Sequence, residues 1–367
     1  MISYWERESL LHADVVIVGA GITGLSAAAS IKEQFPKKSV TVLERSIIPF
    51  GASTRNAGFA CFGSLTEVLS DMHSMGDESA RDLMFQRWMG LKITRKRLSD
   101  ASIGFEDAGG YELIGKEQYQ ALECIEAVNQ LVHDFLPNYI QDCSDVKAEM
   151  DVSADGALVS MSQEGQVHTG SLMASLERYV TSIGVSIKTG AEVIAVASDR
   201  VEVRDPFRRE FEIRAENVVI CTNAFAKKLV PTETEPGRGQ VFITHPIRGL
   251  KFRGNLHIEE GFYYLRNVED RMLFGGGRNK FFDEEKTHEM YTSQAVQTHL
   301  EEKLRLLFEP SVQWEVDQRW SGIMAFGKDK TPIVERSPEG WILAVKMSGM
   351  GIALAGYIGE EVAALIK

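Results

Sequence analysis

Val15 to Val18 form an unbroken apolar, β-branched run that ends at the glycine-rich stretch Gly19-Ala20-Gly21-Ile22-Thr23-Gly24. Such a run predicts a parallel strand covered on both faces, since a half-exposed strand would alternate apolar and polar positions. The small residues of "LSAAASIKEQF" then read as a helix that stops at Pro36, and "SVTVLER" reads as a second strand. Ser79 to Leu98 and Gln118 to Leu136 carry the spacing of amphipathic helices, with the turn-rich "EDAGGYELIG" between them. From Gly165 a second αβ pattern appears: a helix "SLMASLERYVTSIG", a strand "VSIKTGAEVIAVASD", and strands "VEVRDPF" and "ENVVICTNAF". Strands and hairpins are expected from about Gly237 to Phe282, followed by a helix "TSQAVQTHLEEKLRLLF". The chain closes on a strand "GWILAVKM", a glycine turn "SGMG" and a helix running to Lys367. Strand–turn–helix pieces of one type thus stand at the beginning, middle and end, which predicts two interleaved domains.

Composition adds limits. The 367 residues, 44% hydrophobic and 25% charged, are those of a globular protein with a sizeable core. No apolar run approaches the roughly 20 residues needed to span a bilayer. Glu6, Arg7 and Glu8 occupy the place of a signal peptide's apolar stretch, and the four cysteines contain no C-x-x-C pair, so a cytoplasmic protein with reduced thiols is expected. The net charge of −12 argues against a nucleic-acid partner, whose binding rests on Lys and Arg contacts to phosphates. No histidine pair has metal-ligand spacing of the H-E-x-x-H kind, and no metal is expected.

The first glycine turn carries the chemistry of a dinucleotide site. Gly19 permits the bend after the strand, Gly21 lets a pyrophosphate approach backbone N–H groups, and Gly24 lets the helix pack close to the strand. Glu44 follows Gly24 by twenty residues, at the end of the second strand, where a carboxylate can accept from both ribose hydroxyls. An acid there excludes a 2′-phosphate and leaves NAD and FAD. The loop "GASTRNAGFACFGS" (51–64) replaces the next βα unit of a nicotinamide enzyme and can run along an extended cofactor. The turn Lys346 to Ile352 aims a second helix N-terminus at the backbone's near surroundings, where it can stabilise negative charge on a reduced flavin.

Taken in order, "SYWE", "VVIVGAGITGLSAA…VTVLER", "STRNAG", "GAEVIAV", "NVVICTNAF", "PGRGQ", "FYYLRNVEDRMLFGGGRN", "GKDKTPIV" and "MSGMGIALAG" resemble the FAD-dependent amine and amino-acid oxidase family. That family includes D-amino-acid, glycine, sarcosine and γ-glutamylputrescine oxidases. The resemblance spans most of the chain. It implies an α/β fold with a Rossmann-like FAD-binding domain of discontinuous segments (1–80, 151–236 and 321–367). An α+β substrate domain with a mainly antiparallel sheet (81–150 and 237–320) would complete it. It places the FAD phosphates at Gly19, Gly21, Ile22, Thr23 and Gly24, the ribose on Glu44 and the adenine beside Arg45. Ser53, Thr54, Arg55, Asn56 and Gly58 would pass pyrophosphate and ribityl. Val193 would meet the adenine, Thr222 and Asn223 the pyrophosphate, and Gly349, Met350, Gly351 and Ile352 the isoalloxazine. The implied reaction removes a hydride equivalent from the α-carbon of a small amine or amino acid, and the resulting imine hydrolyses.

Several family residues are replaced. A carboxylate-binding arginine after the tryptophan-containing strand is Met324 here, and a second, in the glycine turn before the last helix, is Gly349. Lys346, Arg266 and Arg278 are the candidate anchors, with Lys346 favoured because it interrupts an apolar strand just before the turn. Tyr264 or Tyr263 can line the pocket, and strand alternation allows only one of them to face it. Covalently flavinylated relatives use a cysteine near "SGIMAF"; none is present, so FAD is expected to be noncovalent. A lysine for oxygen activation matches Leu273, which leaves oxygen or another electron acceptor open. A tRNA-wobble-modification type of FAD domain and a non-catalytic FAD-binding protein are the alternative readings. Neither the substrate nor the oligomeric state follows from the sequence.

Overall fold

The computed structural model describes residues 2–367. His12–Val18 is the strand expected from the opening apolar run, and it pairs in parallel with Val40–Glu44 on one side and Glu210–Ile220 on the other. The sheet continues with Ser186–Thr189 beyond Val40–Glu44, and with Ile342–Val345 and Ile333–Arg336 beyond Glu210–Ile220. Glu192–Val196 and Arg200–Arg204 join it as an antiparallel pair against Glu210–Ile220, making eight strands. Its central strands are buried on both faces, which is why they carry continuous Val and Ile.

One face is covered by helices Ile22–Gln34 and Gly351–Ala364, and Asp77–Leu98 packs on Gly351–Ala364. The last two touch through glycine. A Cβ on Gly356 would sit 2.2 Å from the Gly90 carbonyl oxygen, and one on Gly90 2.2 Å from that of Ala353. Any side chain at either position would force the helices apart.

A second eight-stranded sheet runs Val316–Phe326, Glu235–Thr244, Arg271–Gly276, Tyr263–Val268, Asn255–Ile258, Gly110–Ile114, Ala157–Met161, Ile140–Asp142. Only Asn255–Ile258 with Gly110–Ile114 is parallel; every other neighbour is antiparallel. Helix Gln294–Arg305 packs Val296, Leu300 and Leu304 into a separate core on this sheet. The fold is therefore mixed α/β, with one mainly parallel and one mainly antiparallel sheet.

Two expected elements differ. The helix over Gln118–Leu136 begins as 3-10 turns, Lys116–Cys124, which bury no residue and so have no apolar face to hold an α-helix. Only Ile125–Val132, which buries Val128 and Val132, is α-helical. The single strand expected over "VSIKTGAEVIAVASD" breaks at Gly190, whose φ of +66° turns the chain from one sheet partner to another.

Candidate active site

Between the two sheets lies a cavity of about 700 Å³. Its first wall is the glycine turn. Gly19 bends at φ +103°, and a Cβ on Gly24 would lie 2.0 Å from the Gly19 carbonyl oxygen, so strand and helix meet at backbone distance. Gly21 starts helix Ile22–Gln34 with no side-chain cap, leaving its first N–H groups facing the cavity apart from that of Ile22, which donates to Ser53 Oγ at 2.9 Å. Glu44 is buried; its two oxygens accept from the Ala20 and Ser46 N–H groups at 3.1 Å each. Arg45 lies over the Phe225 ring at 4.2 Å.

The loop after the second strand holds its own shape. Asn56 donates to the Ala52 and Ser53 carbonyls and accepts from the Gly58 N–H, while Arg55 donates to the Ser321 carbonyl and its own carbonyl accepts from Trp320 Nε1. Across the cavity, Thr222 Oγ1 and Ser348 Oγ are buried without any hydrogen-bond partner. Ser348 and Gly349 sit at φ +47° and +85°, so the turn presents backbone to the cavity before helix Gly351–Ala364 begins. Two uncapped helix N-termini, two orphaned hydroxyls and a glycine cradle suit an extended anionic dinucleotide. All residues expected along FAD line this cavity except two. Gly24 packs against Gly19, and Thr54 donates its hydroxyl to the Pro49 carbonyl at 2.8 Å.

The other end of the cavity is lined by Tyr264, Arg278, Met324 and Phe326. Strand alternation divides the two tyrosines as expected. Tyr264 faces the cavity, while Tyr263 turns away to hydrogen-bond His299 Nε2 at 2.6 Å. Arg278 stacks over Phe326 at 3.9 Å and Phe282 at 4.8 Å, and no carboxylate lies within 4.0 Å of it among the described residues. Burial pulls its guanidinium below the ordinary arginine range.

The other two candidates are placed elsewhere. Arg266 is buried outside the cavity lining and donates to the carbonyls of Ala57, Gly58, Val167 and Asn267 at 2.8–3.2 Å. Its Nε and Nη1 clamp the 51–64 loop to the neighbouring strand and hold the side chain outside the cavity lining. Lys346 also lies outside the lining; its Nζ pairs with Asp329 Oδ1 at 2.8 Å and its N–H donates to Asn223 Oδ1 at 3.1 Å. The apolar strand it interrupts has already ended at Val345, and φ +66° turns its side chain away.

Residues without a sequence signal complete this end. Glu67, Lys330, His257 and Cys61 line the cavity. Lys330 Nζ lies 3.2 Å from Glu67 and 2.8 Å from Asp71, and Arg87 lies 3.4 Å from Glu67 behind them. Burial alone would raise the Glu67 carboxyl, but Lys330, Arg87 and His257 hold it at about 2. Asp71 goes the other way, raised by burial and by Glu67. Burial opposes charge on His257, yet Cys61 and Glu164 hold its imidazole well above the ordinary range, and burial pushes the Cys61 thiol up. Glu67 and Asp71 share helix Leu65–Met75, but Lys330, Arg87 and His257 come from distant segments, so no spacing could have grouped the whole set.

A family model described as "DAO: FAD dependent oxidoreductase" matches residues 14–365. A probable oxidoreductase OrdL of Haemophilus influenzae is 25% identical over 97% of this chain and 83% of its own. Among solved structures, L-proline dehydrogenase from P. horikoshii is similar with a TM-score of 0.78 at 19% identity, covering 97% of this chain and 93% of its own. Glycine oxidase from Geobacillus kaustophilus is similar with a TM-score of 0.74 at 23% identity, covering 97% and 94%. At these identities the solved structures bear on the fold alone. No described helix is long and apolar enough to cross a membrane.

Proposed function

The chain belongs to the DAO family of FAD dependent oxidoreductases, and we propose that it oxidises the C–N bond of a small amino acid or other carboxylated amine. Bound FAD supplies a two-electron acceptor for the hydride leaving the substrate's α-carbon. On this reading the Gly19–Gly24 turn and the N-terminus of helix Ile22–Gln34 hold the pyrophosphate by backbone N–H groups. Glu44, already oriented by two backbone donors, accepts from the ribose hydroxyls. Thr222 Oγ1 and Ser348 Oγ, which have no partner of their own, gain one from the cofactor. The Ser348–Ile352 turn directs the N-terminus of helix Gly351–Ala364 at the flavin end of the site. We read the binding as noncovalent, since the relatives that link flavin covalently use a cysteine near "SGIMAF" and the strand Val316–Phe326 has none.

The substrate's position follows from Arg278. It is the observation that carries the reading: a half-buried guanidinium facing the cavity, stacked between two aromatic rings, with no carboxylate within 4.0 Å among the described residues. A carboxylate satisfies it with a planar two-bond pair, stronger here than in water because the surroundings are partly dry. Tyr264, opposite Gly275 on the adjacent strand, and Met324 confine the carbon chain, while Phe326 and Phe262 keep water from the reacting carbon. Positioning and exclusion of water thus account for the protein's share of the rate.

Oxygen is the acceptor we favour. A dehydrogenase is the second reading, supported by Lys330: the lysine at this end of the cavity is already paired with Glu67 and Asp71 and has no free charge to offer oxygen. Mixing the reduced enzyme with air-saturated buffer separates the two, since reoxidation over minutes or longer identifies a dehydrogenase. Arg278→Met tests the substrate assignment. Losing charge-assisted bonds worth roughly 2–3 kcal/mol should weaken amino-acid binding by about 30- to 150-fold. An amine of the same shape without a carboxylate should bind equally well to both proteins. Equal loss for both ligands would sink the assignment.

A further inference from the structure

We propose that Cys61, Glu164 and His257 form a binding site for one divalent transition-metal ion of the zinc type in the cavity wall. The three residues come from distant parts of the chain: the loop after the cofactor-facing segment, the turn before Gly165, and strand Asn255–Ile258. All three are buried, and one donor atom from each lies within 4.8 Å of the other two.

Two of those donors make no hydrogen bond within the protein. His257 Nε2 and Glu164 Oε2 are buried and have no hydrogen-bond partner. They face each other at 3.6 Å, an ion-pair contact too long to be a hydrogen bond. Leaving two buried polar atoms unsatisfied is costly, and native structures rarely do so without a ligand or a water. An ion bonded to a ring nitrogen and a carboxylate oxygen at about 2.0–2.1 Å with tetrahedral angles holds them about 3.4 Å apart. The observed separation is within a few tenths of an ångström of that distance.

The surroundings orient the carboxylate for the task. Its other oxygen, Oε1, accepts from the Tyr139 hydroxyl at 2.6 Å and from the Phe62 N–H at 2.7 Å. Tyr139 is fully buried, so Glu164 is held in one rotamer with Oε2 aimed at His257. Fixing a ligand from behind in this way is how metal sites keep their geometry. The donor set of one thiol, one imidazole and one carboxylate suits zinc and cobalt(II), and excludes the all-oxygen preference of magnesium and calcium. On binding, the Cys61 thiol and the His257 imidazolium each give up a proton to solvent, and the thiolate and Glu164 together balance the ion's two charges. Cys61 and His257 both line the cavity, so the fourth coordination position faces it.

The test reads ion content rather than turnover, so it stands apart from the proposed oxidation. Tag-free, FAD-loaded protein is dialysed against zinc chloride and then against zinc-free buffer, and zinc is counted per chain by mass spectrometry. Wild type should keep one zinc per chain. Cys61→Ser and His257→Gln should each bind it at least about a hundredfold more weakly while keeping the flavin spectrum. No zinc retained by wild type, or equal retention by both variants, overturns the site. Should the variants fail to hold FAD, cobalt(II) loaded into wild type decides the question. Ligand-field bands to the red of the flavin absorption, with a thiolate charge-transfer band, support the site, and their absence overturns it.

Discussion

Arg266→Met separates a clamp from a substrate ligand. The Arg266 guanidinium is buried and donates to four carbonyls, those of Ala57, Gly58, Val167 and Asn267. Four charge-assisted bonds at roughly 1.5 kcal/mol each amount to about 6 kcal/mol. Burial works against this, drawing the group from 12.5 to about 10, a desolvation cost of about 3 kcal/mol that the substitution relieves. The net loss is therefore about 3 kcal/mol, which lowers the melting temperature of a chain this size by about 5 °C. The assay is thermal unfolding of the FAD-loaded protein, followed by circular dichroism, alongside ligand binding followed by flavin absorbance. Melting should fall, and the amino-acid Kd should stay within about threefold of wild type. A melting point within 1 °C of wild type together with a Kd raised thirtyfold or more would refute the reasoning and return Arg266 to the substrate.

Lys346→Met should leave substrate binding within about twofold, because its ammonium is already paired with Asp329; a titration of flavin absorbance checks it. Gly24→Ala would drive a Cβ to 2.0 Å from the Gly19 carbonyl oxygen, so the variant should purify without flavin or fail to fold, as the absorbance ratio of the isolated protein will show. Glu67 links stability to acid. Its folded carboxyl is held at about 2, below the 4.5 of the unfolded chain, so its stabilisation is fully present above pH 4.5 and is lost as pH falls through 2. The raised Asp71 carboxyl offsets part of it. Urea midpoints of wild type should fall between pH 5 and pH 3 more steeply than those of Glu67→Gln; parallel curves would contradict the ion cluster.

What the sequence disclosed and what it withheld divide along a physical line. The strand Val15–Val18, its glycine turn and Glu44 were legible because one local pattern carries all of them: a covered strand, a tight bend and a carboxylate at the next strand end. Alternation allowed only one of Tyr263 and Tyr264 to face the cavity, and the fold puts Tyr264 there. The anchors were harder. Lys346 and Arg266 stand near the right places in the chain, yet φ +66° at Lys346 and four waiting carbonyls around Arg266 turn both away from the cavity. Arg278 differs from them only in what surrounds it, two aromatic rings and, among the described residues, no carboxylate within 4.0 Å, and neighbours from other segments leave no trace in spacing. The same holds for Glu67, Lys330 and the Cys61–Glu164–His257 group, which tertiary structure alone assembles.

Oxidation of carboxylated amines by FAD in this cavity is the proposed reaction. Anaerobic titration of the flavin-loaded protein with a panel of amino acids, N-alkylated amino acids and their decarboxylated counterparts tests it most directly. At least one carboxylated amine should bleach the flavin absorbance, and its decarboxylated counterpart should do so far more weakly. A protein that holds FAD yet is bleached by no amine, or by amines without regard to the carboxylate, would contradict it.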